Sequence, residues 1–289
     1  MKKKAQNGWK TVDAPLFDLR GTMASGQLFH WEPTEGGGFR GLIDTTEVEV
    51  RQEGERLRFR GGSAELLCHY FALDHPLEAI YATFPDDPAM REAVAFGRGL
   101  RIVRQPAWEC LATFITSAMK QVSHITAMSR ALRERFGEPI GHGGFRYPDP
   151  ARLASADEAA LRECGLGFRA PKLLETARWI AEGRVDLEAI RALPDGEAER
   201  ELCRLPGVGP KIAHCVLLFA YERVKAFPVD VWIARVLLHH YFARKRKKPT
   251  LKELHAFGIH HFGPYGGYAQ QYLFHHARNL PRSTWAKTG

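Results

Sequence analysis

The stretch Leu205-Pro206-Gly207-Val208-Gly209 constrains this chain more than any other. Two glycines flank Val208, and Ile212, Val216 and Phe219 follow at a spacing that places them on one helical face. Residues 202–220 are therefore predicted to form a helix, a tight hairpin and a second helix. Without Cβ atoms, Gly207 and Gly209 admit the close approach of another backbone, and the amides opening the second helix form a partly positive cluster with no partner inside that helix. A phosphate fits such a cluster, although a hairpin alone is equally compatible with a plain turn.

Lys211 falls in the first turn of the second helix, where a cation opposes the helix dipole. Stability does not explain its placement, whereas service as an amine nucleophile does. Cys215 lies one turn further along the same face. Downstream, Pro228-Val229-Asp230 precedes the apolar run 231–241, so Asp230 is expected to cap that helix with one oxygen and keep the other available.

The rest of the chain accommodates a nucleic-acid partner. Forty-one Lys and Arg against thirty-three Asp and Glu leave a net charge of +8, a surplus that suits a polyanion. The five cysteines, Cys68, Cys110, Cys164, Cys203 and Cys215, are odd in number and scattered through apolar runs, so reduced thiols and no disulfide framework are expected. The basic start lacks an apolar core and no run is long enough to span a bilayer, so the protein is expected to be neither secreted nor membrane-bound, and to reside in a cytoplasmic, nucleoid or nuclear compartment.

Residues 16–71 alternate short apolar and polar stretches between glycine clusters and are predicted as antiparallel strands and hairpins. From Pro106 onward, helical periodicity dominates, as in Cys110, Leu111, Phe114, Ile115 and Ala118. The expected fold is α+β: an N-terminal antiparallel β-sheet subdomain, residues 1–105, packed on a mostly α-helical region, residues 106–289. A basic run at 244–248 reads as a solvated loop or a DNA contact. Seven of the thirteen histidines lie at or beyond His239, but neighbouring histidines on a helix diverge, so no metal site is assigned to them.

The hairpin, Lys211 and the Pro-Val-Asp segment together resemble the helix-hairpin-helix (HhH-GPD) DNA glycosylase superfamily. Lysine at that position resembles its bifunctional members, which excise bases and cut strands. Over roughly residues 16–280 the closest resemblance is to 8-oxoguanine DNA glycosylase with abasic-site lyase activity, carried by Ser25-Gly26-Gln27-Leu28-Phe29-His30-Trp31, by Gln105-Pro106-Ala107-Trp108-Glu109-Cys110-Leu111, and by Gly267-Tyr268-Ala269-Gln270-Gln271-Tyr272-Leu273-Phe274. The resemblance implies that Lys211 and Asp230 are catalytic. It implies a pocket for a flipped base lined by Gly26, Cys215, Phe219, Pro228, Gln270 and Phe274. In that pocket the Gly26 carbonyl takes the N7 proton that distinguishes 8-oxoguanine from guanine, Gln270 reads the Watson–Crick edge, and Cys215 and Phe274 cover the two faces.

DNA contacts are implied for Gly207, Gly209, Met119, Lys120, Gln121, His124, Phe168, Arg169 and Trp232. The backbone carbonyls of Cys203, Leu205 and Val208 are implied candidates for a structural cation. No cofactor is required, and the iron–sulfur subgroup is excluded because no cysteine follows Cys215. The expected partner is double-stranded DNA containing a damaged base, bound by a monomer.

Departures from the family pattern touch the reading of the opposite base. Where relatives place an asparagine triplet, this chain has Met119-Lys120-Gln121, and His124 stands where they place an arginine that reads cytosine, while Arg169 retains the second. Trp232 replaces a phosphate-contacting histidine. A thioether has no directional donor for cytosine, so weaker opposite-base selectivity is expected. Two other readings remain open at this stage: a glycosylase of the same fold acting on another damaged base, and a non-catalytic hairpin module that only grips DNA.

Overall fold

The protein's structure, a computed structural model, describes residues 8–118, 120–140 and 144–285, without the side chain of Arg282. Five antiparallel strands open the fold: β1 (Lys10–Asp13), β2 (Glu32–Pro33), β3 (Phe39–Ile43), β4 (Thr46–Glu53) and β5 (Arg56–Arg60), in the order β1-β5-β4-β3-β2. The register pairs Glu53 with Arg56, leaving Gly54 and Glu55 as a two-residue turn in which Gly54 adopts φ +59°. Alternation then sends Val48, Val50, Leu57 and Phe59 inward. They meet Phe17, Leu67, Tyr70, Phe71 and Val103 in a core of their own.

Helices fill the remainder and share a second, larger core built around Leu111, Phe114, Leu173, Val216, Phe227 and Tyr272. The α+β class therefore stands, with three refinements. The first strand lies before residue 16, and residues 16–71 include two helices, Leu19–Ala24 and Ala64–Tyr70. Asp18 accepts the Gly21 amide at 3.0 Å and Ser63 the Leu66 amide at 3.2 Å, so each short apolar stretch is started as a helix by a side-chain cap. Helices also precede Pro106, at Leu77–Tyr81 and Pro88–Phe96.

A buried ion triad joins the elements that frame the site. Glu109 in helix Ala107–Thr116 pairs with Arg133 in helix Val122–Phe136, and with His30 Nδ1 at 3.0 Å. Burial alone raises the Glu109 carboxyl, but Arg133 and His30 overcome it and hold the group down at about 2. Its folded value lies below the ordinary 4.5, so its contribution is present above the ordinary range and is lost as pH falls toward 2. Glu109→Gln is expected to destabilise the protein by about 3 kcal/mol, because Arg133 would remain buried without its counter-ion. Urea unfolding at neutral pH measures this, and an unchanged midpoint would show that the triad is not structurally important.

Candidate active site

Helix Asp195–Arg204 runs into the hairpin, where Leu205 N–H donates to the Leu202 carbonyl and Val208 N–H to the Leu205 carbonyl. Gly207 adopts φ +81°, and a Cβ there would stand 2.9 Å from Lys172 Cβ, so both conformation and close packing call for glycine. Thr176 Oγ1, in helix Ala170–Ala181, donates to the Pro206 carbonyl at 2.8 Å and holds the turn on that helix. Gly209 differs: its backbone is extended and nothing lies within 4 Å of where a Cβ would be. No side chain caps the helix Pro210–Phe219 that follows, so an external anion has room to approach its start. Of the three carbonyls considered for a cation, that of Leu205 already accepts the Val208 amide. No cluster of three or more His, Cys, Asp or Glu among the described residues could hold a metal, so a cation here would rest on backbone oxygens.

Lys211 extends from the first turn of this helix. Its Nζ lies 3.5 Å from Ser117 Oγ and 5.2 Å from the centre of the Phe114 ring. Cys215, 4% exposed, sits one turn on; burial raises its thiol while the Lys211 ammonium pulls the other way. A neutral thiol suits an apolar wall. Phe219, two turns on, stacks on Phe114 at 5.5 Å and 9°, and thus stands in the core behind the Phe114 ring that faces Lys211.

Asp230 caps helix Val231–His240 as expected, its Oδ1 accepting the Ile233 amide at 2.8 Å. Burial pushes its carboxyl above the ordinary range, against the Ile233 amide and the Lys211 ammonium, with smaller pulls from the Trp232 amide and the Arg278 guanidinium. Lys211 therefore lies within electrostatic reach of both Cys215 and Asp230. Pro228, buried just before Asp230, stiffens the approach to the cap.

The turn containing Gly26 is fixed by its neighbours. Gln27, fully buried, donates to Ser25 Oγ at 2.9 Å and to the Arg101 carbonyl at 2.7 Å, and accepts the Val103 amide at 2.8 Å. Gln271 donates to the Ser25 carbonyl at 2.9 Å, docking the turn on helix Gly266–Asn279. On the same helix stand Gln270 and Phe274, one turn apart. A Cβ added to Gly26, which has φ +79°, would lie 3.2 Å from Phe274 Cε1 and 2.5 Å from Arg278 Nη1. Gly26→Ala is accordingly expected to cost roughly 1–2 kcal/mol in backbone strain and to lower base excision by on the order of tenfold or more. Single-turnover excision and thermal unfolding measure the two effects separately, and excision at the wild-type rate would remove Gly26 from the pocket.

The residues expected to read the far strand are arranged less simply. Lys120, Gln121 and His124 are exposed at the start of helix Val122–Phe136, whereas Met119 lies outside the described residues. Phe168 is 62% exposed, with the Arg169 guanidinium 4.2 Å above its ring. Arg169 itself is buried and turned inward, its Nε donating to the Ala118 carbonyl at 2.8 Å and its Nη1 to Leu166 at 3.3 Å. The guanidinium fork satisfies the Ala118 carbonyl left over beyond the helix Ala107–Thr116 and the Leu166 carbonyl three residues before Arg169, so it must exchange these bonds before it can face a base. Trp232 is half-buried against Arg235 and Trp285. The basic run at 244–248 is exposed between two helices.

Two side chains in the site carried no recognisable signal in the sequence. Ser117, which meets Lys211, belongs to a different helix end, and Arg278 reaches Gly26 and Phe274 from the last turn of its helix. Position alone marks Arg278: it lies one turn after Phe274 and two after Gln270.

The N-terminal domain of 8-oxoguanine DNA glycosylase matches residues 11–111, and the HhH-GPD superfamily of base excision DNA repair proteins matches residues 112–257. The chain belongs to the HhH-GPD superfamily, in the branch that carries this N-terminal domain. It is 32% identical to a probable N-glycosylase/DNA lyase of Methanothermobacter thermautotrophicus, over 91% of this chain and 94% of that one. It is 30% identical to an N-glycosylase/DNA lyase of Arabidopsis thaliana, over 88% of this chain and 75% of that one. Among solved structures, the 8-oxoguanine glycosylase/lyase of Clostridium acetobutylicum, in complex with DNA containing cytosine opposite 8-oxoguanine, superposes with a TM-score of 0.85 at 34% identity, over 92% and 93% of the two chains.

Proposed function

We infer that this protein is a bifunctional DNA glycosylase that excises 8-oxoguanine from duplex DNA and then cleaves the strand at the abasic site. The observation that carries the reading is Lys211 in the first turn of an uncapped helix with the Asp230 carboxyl within its electrostatic reach. A plain DNA-gripping hairpin needs neither side chain. The similarity to N-glycosylase/DNA lyases over nine-tenths of the chain supports it.

The chemistry follows from the residues. Phosphate at the helix start fixes the backbone, and the damaged nucleotide turns out of the stack toward Gly26, Cys215, Gln270 and Phe274. Lys211, once it has lost its proton, attacks C1′ as the bond to the base breaks. The departing base takes up a proton. Asp230, ionised, stabilises the positive charge that develops on the sugar. The resulting aminal opens to a Schiff base, and loss of a C2′ proton expels the 3′ phosphate. One lysine therefore serves both steps.

Asp230 must be charged for this role, and its carboxyl sits above the ordinary range. Excision is accordingly expected to fall with acid at a higher pH than an ordinary aspartate would give, since the group is ionised only above its raised value. The ratio of wild-type to Asp230→Asn single-turnover rates across pH tests this, because the Lys211 requirement is common to both, and a ratio that falls only in the ordinary aspartate range would contradict it.

Opposite-base selectivity is expected to be weak. A good bidentate contact discriminates by about 1–3 kcal/mol, and this chain has Lys120, Gln121 and His124 at the positions concerned, with Arg169 committed to backbone carbonyls. Excision rates opposite cytosine, thymine, guanine and adenine are expected to agree within about tenfold. A larger preference for cytosine would assign Arg169 or His124 a reading role despite the DNA-free arrangement. The hairpin carbonyls of Cys203, Leu205 and Val208 are proposed as a cation site, to be tested by the dependence of DNA binding on potassium and magnesium.

A further inference from the structure

Helix Gly266–Asn279 presents Gln270, Phe274 and Arg278 at successive turns of one face, spanning about 12 Å along its axis. At one end, Gln270 is buried with its Oε1 lacking any hydrogen-bond partner among the described residues. At the other, Arg278 Nη1 is equally buried and equally without a partner. Between them lies the Phe274 ring, with the Arg278 guanidinium carbon 5.1 Å from its centre. Buried polar atoms are normally paired, so an orphan acceptor and an orphan donor framing one aromatic face mark a binding site for a flat molecule with a donor at one edge and an acceptor at the other.

The neighbourhood of Arg278 narrows the acceptor. Its Nη1 lies beside Gly26, close enough that a Cβ on that glycine would be 2.5 Å away. If Gly26 takes the N7 proton of 8-oxoguanine, the oxygens nearest N7 are those on C8 and C6, both acceptors within reach of a donor beside Gly26, and only the C8 oxygen distinguishes the lesion from guanine. An unpaired amide oxygen such as Gln270 Oε1 suits the edge bearing the N1 and N2 donors. Asp230 adds an opposite charge near Arg278, as the mutual influence of the two groups on their ionisation records. The guanidinium is thus a charged donor kept in the pocket and left unsatisfied.

We propose that Arg278 is a specificity-determining residue of the base pocket, donating a hydrogen bond to the C8 oxygen of the flipped 8-oxoguanine. The proposal rests on the glycosylase reading above and extends it: guanine carries C8–H in that position and would leave the buried donor unpaired. Two adjacent atoms of the lesion are then read, N7–H by the Gly26 carbonyl and the C8 oxygen by Arg278, and undamaged guanine fails at both.

The test compares wild type, Arg278→Met and Arg278→Lys in single-turnover excision of 8-oxoguanine and in cleavage of a preformed abasic site, which has no base to recognise. A hydrogen bond from a charged donor is worth about a tenfold to hundredfold change in rate. The ratio of excision to abasic cleavage is expected to fall by at least about tenfold in Arg278→Met and to recover in part in Arg278→Lys, which still donates. A duplex carrying 8-thioguanine keeps the N7–H and weakens the C8 acceptor, so the drop from 8-oxoguanine to 8-thioguanine should shrink in Arg278→Met.

An unchanged or increased ratio would remove Arg278 from base recognition and overturn the proposal. So would a fall in both activities together with a lowered unfolding midpoint, or an equal drop on 8-thioguanine in wild type and variant. Wild-type protein that cleaves abasic DNA but leaves 8-oxoguanine in place would overturn the lesion assignment itself, and this role with it.

Discussion

Lys211→Gln is expected to abolish base excision and strand cleavage together, each by on the order of 10⁴-fold or more, while leaving duplex binding within a few-fold of wild type. Glutamine is one atom shorter and keeps a polar end, but its nitrogen lone pair is delocalised into the carbonyl and cannot form the aminal. Lys211 is half-buried at the start of an uncapped helix, and its contacts are a 3.5 Å approach to Ser117 Oγ and the Phe114 ring, neither of which the fold depends on. The variant should therefore unfold at the wild-type temperature. Electrophoresis after borohydride reduction gives a covalent protein–DNA band for wild type and none for the variant. Residual excision without cleavage would instead assign Lys211 to the lyase step alone and require an activated water for the first.

Asp230→Asn carries the second-largest expected effect. Asparagine is as good an N-cap as aspartate, so the 2.8 Å bond from the Ile233 amide and the start of helix Val231–His240 should survive. What is removed is the negative charge beside Lys211 and Arg278. Loss of a preorganised charge that meets a developing cation is expected to lower excision by about 10²–10³-fold, with stability little changed or slightly improved, because a buried carboxylate is replaced by a neutral group. Single-turnover rates and thermal unfolding check the two halves of this expectation. A rate within threefold of wild type would leave Asp230 as a cap and nothing more.

The hairpin glycine and the two candidate catalytic residues stood out in the sequence because local rules constrain them. Gly207 needs a positive φ, Lys211 contradicts the helix dipole, and Asp230 stands where a cap must stand. The division into sheet and helices was readable for a similar reason: Val48, Val50, Leu57 and Phe59 alternate with period two. Short helices such as Leu19–Ala24 and Ala64–Tyr70 were not, since one or two turns of apolar residues look alike as helix or strand until the bonds from Asp18 and Ser63 are known.

Long-range contacts were also hidden. Arg169 looked available for a base, yet the carbonyls of Ala118 and Leu166 hold it inward. Phe219 shares the face of Lys211 but is occupied by Phe114. Arg278 joins Gly26 only because Gln271, on its own helix, anchors the Ser25 carbonyl far away in sequence. Periodicity identifies which face a residue occupies and says nothing about which distant element meets that face.

The central claim is that Lys211 forms a covalent bond with the sugar of an excised 8-oxoguanine nucleotide. Borohydride reduction of wild-type protein during turnover on a duplex containing 8-oxoguanine, followed by peptide mass spectrometry, tests it most directly. A reduced sugar adduct is expected on the peptide containing Lys211, together with release of free 8-oxoguanine. An adduct on another amine, or base release with no adduct, would contradict it.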